Sequence, residues 1–135
     1  MTVHKLNLLL ILSLGLSSAT WAQKEICSTK VLAKAYGLND SMLAIWRLDK
    51  YGCNKQRLVF LDSLFKLERL INIPKKLFLI LYGIPDDFGP NGTLIYRNVM
   101  HCDHKNIAAK ETSSLDVVVF FQDDRLTFFE KTFVD

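Results

Sequence analysis

The chain has 135 residues, half of them hydrophobic, with 17 basic and 14 acidic side chains and a net charge of +3. That length suits one folded unit that buries about two thirds of its unfolded surface. The near balance of charge argues against a nucleic-acid binder, which would gather basic residues on one face.

At the amino terminus Lys5 precedes the apolar run from Leu6 to Leu16, and the small residues Ser17, Ser18 and Ala19 follow. This is the pattern of a secretory signal peptide, and the run is shorter than the roughly 20 residues a membrane-spanning helix requires. Cleavage is expected after Ala22, with Ala19 as the alternative, so residues 1–22 leave and residues 23–135 form a single α+β domain. No cysteine directly follows the apolar run, so a lipid anchor is not expected. The destination is secreted or periplasmic, with no membrane span after cleavage.

The remaining chain opens with two short helical segments. One runs from Ser28 to Tyr36 and is ended by Gly37; the other runs from Asp40 to Leu48, with Asn39 or Asp40 able to cap it. After the break at "LDKYGCN", a long periodic run begins at Lys55, and Leu58, Leu61, Leu64, Phe65 and Leu67 recur at spacings of three and four. This helix should end near Ile71, because Pro74 disfavours helical backbone just before it and suits the first turn of a new helix. The new helix ends at Tyr82 with Gly83 as its stop and Pro85 blocking continuation. Behind two lysines, the short run from Leu77 to Tyr82 reads as a buried core helix.

A loop of turn formers at 85–92 leads to strands from Thr93 to His101, Leu115 to Phe121 and Arg125 to Phe133. "QDD" at 122–124 fits a tight hairpin between the last two. "LDVVVFF" is apolar on both faces, as in a central strand that is covered on both sides or shielded by large neighbours. The expected fold is α+β: two N-terminal helical segments, then helix, helix, strand, strand, strand, with an antiparallel sheet packed on the helices.

Three cysteines, Cys27, Cys53 and Cys102, lie beyond the cleavage site in a compartment where disulfides persist. At most one internal pair can form. Cys53 in the turn "YGCN" and Cys102 at a strand end are the best-placed partners, leaving Cys27 unpaired or joined to another chain. Linking Cys53 to Cys102 closes a loop of about 50 residues, worth about 4 kcal/mol on a chain-entropy estimate.

From residue 58 to residue 133 the order of elements, the helix stop at Gly83 and Pro85, the aromatic Tyr96, and the pair Val118 and Phe120 before a polar turn together resemble the SmpA/OmlA-like envelope proteins. Their fold is shared with the repeats of β-lactamase inhibitory protein. The Gly52–Cys53–Asn54 turn is similar to one found in small secreted proteins of the Bacteroidetes type. The resemblance implies a helix-on-sheet fold and a role in protein interaction, either in envelope maintenance or as an inhibitor or immunity protein that plugs an enzyme.

"HCDH" at 101–104 places His101, Cys102 and His104 as candidate metal ligands, or as a small thiol site. Along a strand, however, successive side chains point to opposite faces and do not converge on one ion. No metal or cofactor is therefore expected. The acidic pairs Asp86–Asp87 and Asp123–Asp124 sit in turns, where aspartate bonds locally. No nucleophile, phosphate-binding or zinc-protease motif is present, so the chain is not expected to be an enzyme. Asn39 and Asn91 head glycosylation sequons. The expected partner is another protein, met through Phe88, Phe128, Phe129 and Phe133, or through a protruding loop at 85–92 or 103–114.

Overall fold

The computed structural model describes residues 29–103 and 112–135. The expected signal peptide, its cleavage sites and Cys27 lie outside them. Within them the protein is α+β, with five helices preceding a four-stranded antiparallel sheet.

Helix α1 occupies residues 29–35. It ends as Gly37 turns to a φ of +66° and the Leu38 N–H reaches back to the Ala33 carbonyl at 2.9 Å. Helix α2, Asp40–Leu48, starts where the Asn39 carboxamide accepts a hydrogen bond from the Met42 N–H at 3.0 Å. Leu43 and Trp46, three apart, form its buried stripe.

The helix expected from Lys55 to Ile71 is instead two. Helix α3 spans Gln56–Leu64 and helix α4 spans Leu67–Leu70, with Phe65 between them in a non-helical conformation. The break lets the Phe65 ring turn inward, with its centroid 5.1 Å from Trp46, 4.9 Å from Tyr82 and 5.3 Å from Phe129. The Leu64 carbonyl, orphaned at the helix end, accepts a hydrogen bond from the Tyr82 hydroxyl. Aromatic packing thus outweighs helical continuity.

Helix α5, Lys75–Tyr82, buries Phe78, Leu81 and Tyr82, and Gly83 ends it at φ +78°. The sheet order is β1 (Asp87–Phe88), β2 (Leu94–Tyr96), β3 (Ser114–Gln122), β4 (Arg125–Val134). Strand β1 was not expected; it forms inside the 85–92 loop and pairs with β2 through Asp87–Ile95 and Phe88–Leu94.

Strand β2 is shorter than the expected span to His101. It stops at Tyr96 because the Arg97 N–H donates to the Asp86 carboxylate at 2.8 Å. Contact with β3 resumes beyond the interruption, where the Leu115 N–H bonds the Asn98 carbonyl at 3.0 Å and Val99 bridges Ser114. The β3–β4 hairpin turns through Asp123 and Asp124, both at positive φ (51° and 57°), as a tight two-residue turn requires.

Opposed residues of an antiparallel pair share a face, so the register sorts the sheet. Leu94, Tyr96, Val117, Val119 and Leu126 face the helices and close the core with Leu43, Trp46, Leu61, Leu64, Phe78 and Leu81. Ile95, Val118 and Phe120 face the other way. Of the two readings of "LDVVVFF", shielding by large neighbours is the one observed: the Phe120 and Phe128 rings stack on that outer face at 4.3 Å and 12°.

Candidate functional site

Two features stand out from the packing: a buried polar anchor beside the disulfide, and the outer face of the sheet that the anchor holds in place.

The anchor begins at the bend between α2 and α3, where Tyr51, Gly52 and Lys55 all take positive φ (58°, 68° and 62°). Gly52 is required there. A Cβ at that position would lie 2.7 Å from the Asn98 Cα, so the bend presses backbone to backbone against the residues after β2. The Val99 N–H bonds the Tyr51 carbonyl at 2.9 Å, and the Lys55 ammonium donates to the Val99 and Met100 carbonyls at 2.5 and 2.8 Å.

Cys53 and Cys102 are disulfide-bonded across the same seam, with their Cα atoms 5.6 Å apart. The expected pairing is present, and it ties the start of α3 to the chain leaving the sheet.

Behind the bridge lies Arg57, which is 2% exposed. Its guanidinium pairs with the Asp86 carboxylate, donates to the Trp46 carbonyl at 3.1 Å, and lies over the Trp46 and Tyr96 rings at 5.1 and 5.7 Å. Asp86 also accepts from the backbone N–H groups of Arg97 (2.8 Å) and Tyr51 (3.2 Å). Asp49 completes the network, accepting from the Asn54 and Arg57 N–H groups at 2.7 and 2.9 Å.

The local turn role expected for Asp86 is therefore incorrect. Its side chain is 1% exposed and joins three segments distant in sequence. A buried carboxylate needs such partners, because no water is there to solvate it. Asp87, by contrast, stays at the surface, where it accepts from its own neighbour Phe88 N–H and pairs with Arg97 at 3.1 Å.

The "HCDH" residues do not assemble into a ligand set. Cys102 is committed to Cys53, His101 is exposed with its N–H on the Thr112 hydroxyl at 3.0 Å, and His104 lies outside the described residues. Among the described residues no three His, Cys, Asp or Glu side chains stand close enough to hold a metal ion.

The four phenylalanines named as interaction candidates lie on different faces. Phe129 turns into the core against Phe65, so it is not available for binding. Phe88 opposes the core residue Leu94 at one sheet edge and Phe133 opposes Leu115 at the other; they are 65% and 57% exposed on the helix side. Phe128 alone reaches the outer face. A β-bulge separates the Phe120–Phe128 pair from the Phe121–Leu126 pair and makes Thr127 an extra residue. The bulge reverses the alternation, so Leu126 and Phe129 point inward while Phe128 points out.

On the outer face Thr93, Ile95, Val118, Phe120, Thr127 and Phe128 line a shallow groove of about 440 Å³, within the range of about 300–1,000 Å³ typical of ligand-holding clefts. Sequence reasoning had no access to this groove, because Ile95 and Val118 belong to it only through register. Next to it, Asp116 is 6% exposed, its Oδ1 has no hydrogen-bond partner, and burial raises its pKa above the ordinary carboxylate value. Ser114 and Arg97 favour the charged form there and only partly offset the loss of water. Burial likewise raises the pKa values of Tyr82 and Tyr96 far above the usual phenol range.

In comparison with known proteins, the chain matches no family model, no curated protein and no solved structure. Among the described residues no helix is long and apolar enough to cross a membrane.

Proposed function

We propose that this is a secreted or periplasmic protein-binding domain that performs no catalysis and uses the outer face of its sheet to hold a partner. The observation that carries the reading is the groove around the stacked Phe120 and Phe128. It is an apolar concavity on the side of the sheet away from the helices, with Phe128 45% exposed. The disulfide supports a destination outside the reducing cytosol. The resemblance to SmpA/OmlA-like proteins, carried by Gly83, Pro85, Tyr96, Val118 and Phe120, suggests envelope maintenance as the setting.

A second reading, an inhibitor or immunity protein, is favoured by Ile84 and Phe88, which are 84% and 65% exposed where the chain enters β1. Such a tip could fill a pocket on an enzyme. The third, a thiol or metal site at Cys102, would require the Cys53–Cys102 bond to open first.

Photo-crosslinking separates the first two. A photoreactive residue in place of Val118 or Glu130 on the outer face, compared with one at Ile84, is irradiated in an extract of the producing cell's envelope and medium. A single adduct formed from the outer face supports the proposed reading. An adduct formed only from Ile84, with a partner whose enzymatic activity is blocked, supports the inhibitor reading instead.

A further inference from the structure

We infer that the groove takes a cationic, apolar segment of its protein partner: one or two large aliphatic or aromatic side chains flanked by lysine or arginine. The inference rests on the protein-binding reading and adds the chemistry of what is bound. Its basis is an imbalance of charge around an apolar floor.

Register places Glu130 opposite Val118, so its carboxylate flanks the groove on the same outer face. Gln122 lines the far end, and the exposed Asp123 and Asp124 follow it in the hairpin turn. Among the described residues no salt bridge engages any of these three carboxylates.

The nearby cations are fewer than the carboxylates and each is held, with the Lys75 ammonium over the Phe121 ring at 5.3 Å and Arg125 opposite Gln122 at the groove's end. Arg97 pairs with Asp87 at 3.1 Å, the Lys75 ammonium donates to the Gly92 carbonyl at 2.7 Å, and the Arg125 guanidinium donates to the Asn72 carbonyl at 2.9 Å. With Arg97 neutralised by Asp87, the carboxylates of Glu130, Asp123 and Asp124 outnumber Lys75 and Arg125, so the groove is acidic by one charge at its margin and apolar at its floor. Apolar burial in such a groove supplies affinity, whereas the rim carboxylates, which form no salt bridge among the described residues, select the sign of the partner's charge.

The test uses protein expressed from the full sequence and three short fluorescent peptides that alternate Phe or Leu with Lys, Glu or Ser, read by anisotropy. The Lys peptide should bind about tenfold more tightly than the Glu peptide, as expected for a few exposed charge pairs, and should weaken as salt rises. Phe128→Ser, checked for retained fold by circular dichroism, should abolish binding of all three. Glu130→Lys, which leaves the apolar floor in place, should flatten or reverse the preference.

Equal binding of the Lys and Glu peptides, preference for Glu, or no binding by any peptide would overturn the inference. So would concentration-dependent self-association lost in Phe128→Ser, which would make a second copy of the chain the occupant. If the outer-face crosslink still forms in any of those cases, the protein-binding reading stands and only the stated partner chemistry fails.

Discussion

Removing Asp86 should be among the most damaging single changes this protein can suffer, and more damaging than removing its partner Arg57. Losing one member of a buried ion pair typically costs about 3–5 kcal/mol, since the other is left as an uncompensated charge. Asp86→Ala strands the Arg57 guanidinium among the Trp46 and Arg97 carbonyls and two aromatic faces, and it orphans the N–H groups of Tyr51 and Arg97. Arg57→Met leaves the carboxylate with both of those backbone donors and fills most of the volume. We therefore expect about 4–5 kcal/mol for Asp86→Ala, about 2–3 kcal/mol for Arg57→Met, and a double variant that falls short of the sum by about 2 kcal/mol. A domain of this size has about 5–15 kcal/mol of stability in all.

Urea unfolding followed by Trp46 fluorescence measures these values, because Trp46 is fully buried 5.1 Å from the guanidinium. A cost under about 1 kcal/mol for Asp86→Ala, or strict additivity of the two changes, would refute the claim that this pair organises the seam between helices and sheet.

Other parts of the structure give further expectations. Replacing Cys53 and Cys102 by serine frees a loop with a sequence separation of 49 residues and should cost about 2–4 kcal/mol, seen as a lower Tm that reductant no longer changes. The folded state raises the pKa of Asp116, so its contribution to stability is most favourable at acid pH and is lost as pH rises through the folded value. Asp116→Asn should therefore gain stability over the parent as pH rises from acid to neutral, with the difference vanishing in acid; a constant difference across pH would contradict this. Tyr82 and Tyr96 resist ionisation in the folded state, so alkaline titration by ultraviolet absorbance should show both ionising only as the protein unfolds. Gly52→Ala forces a Cβ into the Asn98 backbone at positive φ, and should lower Tm more than the corresponding change at the roomier Gly37.

Much of the fold was legible because it rests on local chemistry. Asn39 announces a helix start by its side chain alone, Gly83 and Pro85 announce a stop, and "QDD" between apolar runs announces a hairpin. The disulfide was legible from turn context and cysteine number. What escaped depends on contacts between distant residues. Arg57 reads as a surface residue within a helix until Asp86, Trp46 and Tyr96 surround it. The α3–α4 break exists to place Phe65 among rings that arrive from elsewhere in the sequence. In "LTFF", strict alternation would bury Phe128; the bulge at Thr127 buries Phe129 instead and puts Phe128 into the groove. Phe128 was expected as a contact residue, but the bulge and the register that set it on one face with Ile95 and Val118 depend on strand pairing.

Carbene footprinting of the protein bound to the partner captured by crosslinking tests the central claim most directly, since it labels exposed side chains and reads their protection by mass spectrometry. Labelling at Ile95, Phe120 and Phe128 should fall on binding while Ile80 on α5 stays accessible. Protection confined to the helices or to Ile84, with Phe128 unchanged, would contradict an interface on the outer face of the sheet.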